Sequence, residues 1–129
     1  MSMADALYSR LSGFAGLSAL VAARVYPLRA PQGAALPYVT FQRVHAERES
    51  AMGVDVGVVH ARIQVSAWGK TFTEAEAVKE QVRAALQRWS GTAAGVVVLD
   101  SFVVSEIELY EDETGIHQHA LDFTIHYRE

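Results

Sequence analysis

His117 and His119 stand two apart at the entry to a strand-like segment, a spacing that turns both imidazoles to one face, where they could share a metal ion. The set is incomplete, because His126 falls on the opposite face by parity and nothing fixes His45 or His60 beside it. The two histidines also share parity with Leu121 and Phe123, so the plainer reading makes them rim residues half covering a core edge. Glu106, Glu108, Glu111, Asp112 and Glu113 offer oxygen ligands or an acid/base pair. Glu106 and Glu108, however, alternate with Ile107 and Leu109, the composition of a half-exposed strand whose charges discourage edge-to-edge association. Nucleophilic chemistry has no residues to carry it: there is no cysteine and no Gly-x-Ser-x-Gly turn. Gly53 and Gly57 flank Val-Asp-Val with no adjoining lysine and no helix opening after them, so they do not cradle phosphate. The residues therefore predict no catalysis, no cofactor and no metal.

The elements that would hold these side chains are legible from periodicity. Ala4, Leu7, Tyr8, Leu11 and Phe14 repeat at helical spacing behind Ser2 and Asp5, a capping-box arrangement. Gly13 and Gly16 interrupt the pattern, and Leu17, Leu20 and Val21 renew it as a second short helix or a bent continuation. Pro27, Pro31 and Pro37, with Gly33 among them, mark residues 26–38 as an irregular, partly stiffened connection. A strand follows over residues 38–45. Residues 58–68 form a cleaner one, with Val59, Ala61, Ile63, Val65 and Ala67 on the core face and His60, Arg62, Gln64, Ser66 and Trp68 on the other. The span 46–57 between them, too long for a tight turn, is expected to be a mobile loop or a protruding hairpin tip.

Ala75, Val78, Val82, Ala85, Leu86 and Trp89 form one stripe of a helix over residues 73–89, opened by Thr73 with Glu76 and stopped at Ser90-Gly91. Residues 95–110 alternate, with an irregularity near Asp100 and the core parity settling on Val103, Ile107 and Leu109. The last strand sets Leu121, Phe123, Ile125 and Tyr127 against Asp122, Thr124, His126 and Arg128, and the turn-like run 111–115 joins these two strands as an antiparallel hairpin. Trp89 extends the helix stripe into the core. Trp68, on the polar parity, either caps a neighbouring element or anchors a partner, and Met52 in the 46–57 span is a candidate adaptable contact.

This order predicts an α+β fold: a two-layer sandwich with a mainly antiparallel sheet of about four strands, one long helix between the strand pairs and a short helical N-terminus. One sheet face, bearing His60, Arg62 and Gln64, is left uncovered. The chain has 129 residues, 50% of them hydrophobic, and no repeat or linker divides it, so residues 1–129 are expected to form a single domain. With 11 Lys and Arg against 15 Asp and Glu, the net charge of -4 argues against nucleic-acid sequence recognition. No run approaches the roughly twenty apolar residues of a membrane span, and the first ten residues do not read as a secretion signal. Cytoplasmic residence is the expectation.

The order of features has a family likeness. The stretch from Arg24 to Gln42 (RVYPLRAPQGAALPYVTFQ), that from Ala61 to Gly69 (ARIQVSAWG), the Glu/Ala-rich helix, that from Tyr110 to His117 (YEDETGIH) and the final Leu121 to Ile125 (LDFTI) together resemble the small tail-completion proteins of long-tailed phages and prophages. These are also called tail terminator or head-tail joining proteins. The resemblance implies a structural role: a ring of subunits, expected to be sixfold, that caps the head-proximal end of the tail tube, stops its polymerisation and presents a surface to the head connector. The implied partners are the tail tube protein, connector proteins and other copies of the chain, with the free protein either monomeric or already assembled. The implied location is the virion tail, reached from the bacterial host cytoplasm during assembly. Arg43, Glu47, Arg48, Glu49, Met52, Arg62 and Trp68 are the expected subunit or tube contacts. The rival readings are a small-ligand or metal-binding module around His117, His119 and the nearby acids, and a plain homodimeric adaptor.

Overall fold

In a computed structural model that describes residues 2–128, the chain forms three helices and one six-stranded sheet. The elements are α1 (Met3–Gly13), α2 (Ala15–Val21), β1 (Val25–Pro27), β2 (Tyr38–Ala51), β3 (Val54–Gly69), α3 (Phe72–Leu86), β4 (Gly91–Ala93), β5 (Val96–Glu111) and β6 (Ile116–Arg128). The strand order is β1-β2-β3-β6-β5-β4. β1 runs parallel to β2 and every other pairing is antiparallel.

The predicted α+β sandwich is corrected by this arrangement. The fold is mainly β, a mixed and curled sheet with 51% of residues in strands and 26% in helices. Two short strands, β1 and β4, were hidden in segments read as connections, because three residues are too few to show a period. The central strands run to 14, 16, 16 and 13 residues against a 15-residue helix; β5 has its expected length, and the other three are longer than expected. At roughly 3.3 Å per residue in a strand and 1.5 Å in a helix, such strands outrun α3 about twofold, so no single helix can cover them.

α1 begins where the sequence says. Ser2 caps it, and the Asp5 side chain answers to the Ser2 backbone at 3.0 Å. Phe14, extended at ψ 113, ends α1 and starts α2. α3 starts two residues early: the Thr71 hydroxyl accepts from Glu74 N at 3.1 Å, and the Glu74 carboxylate accepts from Lys70 N at 2.9 Å. The sequence holds two overlapping Thr-x-x-Glu patterns, and the fold caps the helix with Thr71 rather than Thr73, the Glu74 carboxylate reaching Lys70 N in place of the N–H of Thr71. The helix also stops short of residue 89. Gln87 and Arg88 are drawn to the edge of β5, where Arg88 N donates to Ser101 O and the Gln87 side chain accepts from Val103 N. Trp89 is buried all the same, beneath the Arg10 guanidinium at 5.9 Å, while Arg10 Nε donates to the Ala85 carbonyl at the end of α3.

One hydrophobic cluster joins Leu7, Leu11, Leu17 and Val21 of the first helices and Val78, Val82 and Leu86 of α3 to Val59, Ile63, Val65, Leu121, Phe123, Ile125 and Tyr127 of the sheet. The predicted core faces of β3 and β6 are therefore correct. The span 46–57 is not a loop: β2 and β3 pair as far as Ala51 and Val54, leaving Met52-Gly53 as a tight turn at the tip of a protruding hairpin. Gly53 takes φ +74, the region such a turn requires.

β5 carries two bulges, one at the expected place between Val98 and Asp100 and one unforeseen between Val103 and Ser105. A bulge adds a residue and reverses every facing beyond it. Val103 still pairs with Phe123 on the core side, but Glu106 pairs with Leu121 and Glu108 with His119. Ile107 and Leu109, expected in the core, lie on the opposite face and are about half exposed.

Candidate functional site

Three sets of side chains stand out: the helix-free sheet face, the projecting ends of the two hairpins, and a polar cluster under α3. The helix-free face is ordered by cross-strand rows. Glu47, His60 and His126 lie in one row, His45, Arg62 and Thr124 in the next, and Tyr38, Trp68 and Gln118 near the far end. His60 bonds Glu49 at 2.7 Å and packs edge-on to His126 at 4.4 Å, Glu47 meets His45 at 3.3 Å, and Arg62 reaches Asp122 at 3.4 Å. Glu47, Glu49 and Arg62 are thus brought together.

Trp68 shares that face but lies six residues along β3 from Arg62, about 20 Å away at strand rise. Its indole donates to Thr40 Oγ1 at 2.9 Å and stacks on Tyr38, so it caps its neighbours. Arg43 belongs to the other face. It pairs with Ile63, donates to the Tyr127 hydroxyl at 3.0 Å, and lines a mostly apolar groove of about 240 Å³ with Met3, Leu7 and Phe41. Met52 occupies the hairpin tip, fully exposed, with Val54 and Val56 also exposed behind it.

Both flanks of the sheet have long stretches with no strand beside them. β1 pairs with β2 only at Val39, Thr40 and Phe41, and β4 pairs with β5 only at Val96, Val97 and Val98. Beyond Gln42 on β2, and beyond the Gln87 and Arg88 bonds on β5, no further strand pairs with either edge among the described residues.

The polar cluster was not predicted as such. His117 and His119 do share a face, but the His117 ring packs on Tyr110 at 4.7 Å, while His119 is buried, 1% exposed, under the edge of Phe72. The second bulge turns Glu108 toward His119, and the early start of α3 leaves Glu76 free of capping duty, so three groups from three elements meet. One ligand atom from each of Glu76, Glu108 and His119 lies within 4.8 Å of the others. Lys79 Nζ bonds Glu76 at 2.6 Å and stands 3.6 Å from Glu106 and 3.8 Å from Glu80. The Lys79 hydrogen bond holds the Glu76 carboxyl below its ordinary pKa. Burial works against the Lys79 ammonium, but the surrounding carboxylates outweigh it and raise its pKa. Burial likewise depresses the His119 pKa, against the pull of Glu108 and Glu76. No sequence signal marked the second bulge, and without it Glu108 cannot be placed beside His119.

Comparison with known proteins was made against this geometry. The family model described as tail completion protein gp17 matches residues 5–128. A chain from a solved structure described as the virion of a native gene transfer agent particle superposes with a TM-score of 0.72 at 20% identity, covering 96% of this chain and 92% of that one. A second solved chain gives a TM-score of 0.63 at 16% identity, covering 98% and 93%. At such identities the structures establish a shared fold. Among curated proteins no sequence match is found.

Proposed function

The chain belongs to the tail completion protein gp17 family, whose members are structural phage tail proteins, and from that we propose that it closes the head-proximal end of the tail tube as a ring. In this reading residues 1–129 act as one domain that halts tube polymerisation and offers a surface to the head connector, with six copies in the ring. The partners are the tail tube protein, connector proteins and neighbouring copies. The protein meets them in the host cytoplasm during assembly and ends in the virion tail.

The observation that carries this reading is the pair of unpaired edges. β2 beyond Gln42 presents Arg43, Glu47, Arg48 and Glu49, and β5 beyond Val103 presents Glu106, Glu108 and Glu111 beside Ile107 and Leu109. A head-to-tail ring needs two different surfaces on each subunit, and two unlike edges on opposite flanks of one sheet are of that kind. Arg62 on the helix-free face, beside Glu47 and Glu49, and Met52 at the tip are the remaining assigned contacts. Arg43 and Trp68 contribute less directly, since each is engaged within its own chain.

The test is deletion of the gene from its phage or prophage, induction, and electron microscopy beside a complemented strain. Filled heads next to unjoined tails, above all tails of uncontrolled length, are the expected result. Normally joined particles would overturn the proposal.

A further inference from the structure

We propose that Glu76, Glu108 and His119 form a binding site for a divalent cation of borderline softness, with the zinc ion as its best match. The first observation is convergence: one ligand atom from each residue lies within 4.8 Å of the others, although they come from α3, β5 and β6. The second is independent of it. His119 has a side chain 1% exposed, and neither ring nitrogen has a hydrogen-bond partner. The nearest carboxylate oxygens, on Glu76 and Glu108, stand 3.7 Å off, beyond hydrogen-bond reach. Buried polar groups are nearly always satisfied, so an imidazole without a hydrogen-bond partner marks a missing one; an ion would take one ring nitrogen while the other keeps its proton on the side of the remaining carboxylate.

Charge selects a cation as that partner. Glu76 and Glu108 flank the imidazole, and the Lys79 ammonium beside them is itself held among Glu76, Glu80 and Glu106. Lys79 engages Oε1 of Glu76, which leaves Oε2 directed at His119. One imidazole with two carboxylates suits zinc and its first-row neighbours, whereas magnesium and calcium prefer all-oxygen sets of six or more. Phe72 lies over one side of the ring, and Glu108, about half exposed, leaves room for water to complete the coordination. The bound ion would add a tie between the first turns of α3 and the β5–β6 hairpin, beside the packing of Phe72 on His119.

Calorimetric titration of tag-free, EDTA-stripped full-length protein with zinc chloride at pH 7.5 tests the site. The expected result is one ion per chain with micromolar or tighter Kd and a raised thermal midpoint. Glu108→Gln, on a side chain that is half exposed, keeps the fold and weakens binding at least tenfold. His119→Asn does the same if it folds. His60→Ala, which removes the histidine that joins Glu49 to His126 on the helix-free face, leaves the isotherm unchanged. Absence of zinc binding to the wild type, or binding that survives Glu108→Gln and falls with His60→Ala, would overturn the proposal.

Discussion

Glu108 faces His119 across the β5–β6 pair, its Oε2 3.7 Å from the Nε2 of a buried imidazole. A carboxylate sits there only because the bulge between Val103 and Ser105 turns the strand over, so a half-exposed residue comes to face a buried imidazole.

The same cluster sets a pH response of the metal-free protein. The folded His119 pKa lies below the ordinary 6.5, so the unfolded chain binds a proton first as pH falls and stability drops below that value. Glu76, depressed from 4.5, adds a second loss at lower pH. Denaturant unfolding in EDTA is expected to show wild-type stability falling between pH 7 and pH 5, and His119→Gln losing that part of the slope. Parallel profiles for the two proteins would remove His119 from the account.

Gly69 closes β3 against the start of α3, and a Cβ there would stand 2.7 Å from Ala75 N. Backbone cannot yield as a flexible side chain does. Gly69→Ala is expected to cost about 1–3 kcal/mol, the usual range for overpacking, seen as a lower thermal midpoint. An unchanged midpoint would mean that α3 is free to shift away from the strand.

The sequence made the interior of the fold readable wherever an apolar period ran unbroken. Val59 to Ala67 and Leu121 to Tyr127 announce their core face, and Ser2 with Asp5 announces a cap that forms as written. The rest depended on choices that local pattern leaves open. Thr71/Glu74 and Thr73/Glu76 have the same spacing, and the fold caps the helix with the first. Ile107 and Leu109 read as core because apolar residues on alternate positions carry no mark of a bulge upstream. The helix-free face was foreseen from parity at His60, Arg62 and Gln64, whereas Glu47 and Glu49, read as part of the 46–57 loop or hairpin tip, reach it only because β2 runs on to Ala51. Arg43 was not separable from them until β2 acquired a register.

That difference in facing has a measurable signature. Phe123 is fully buried, and Phe123→Ala is expected to cost about 3–5 kcal/mol. Ile107→Thr and Leu109→Thr, at half-exposed positions off the core, are expected to cost under about 1 kcal/mol each. Urea midpoints compare them directly. A loss at Leu109 approaching that at Phe123 would put its side chain back in the core and remove the second bulge.

Met52 is the sharpest probe of the proposed tail contact. Its side chain is fully exposed at the turn, with Val54 64% and Val56 44% exposed behind it, so the fold gains little from three apolar residues at a solvated tip. A partner that covers them gains by burial, at about 25 cal/mol for each Å² of apolar surface removed from water. Met52→Asp therefore separates the two roles: it is expected to shift stability by no more than about 0.5 kcal/mol, while a charge in the contact would oppose docking. In a strain deleted for the gene and complemented with Met52→Asp, micrographs are expected to show unjoined heads and tails, although the purified variant melts like the wild type. Normal particles would exclude the tip from the contact and leave the two unpaired strand edges to carry assembly.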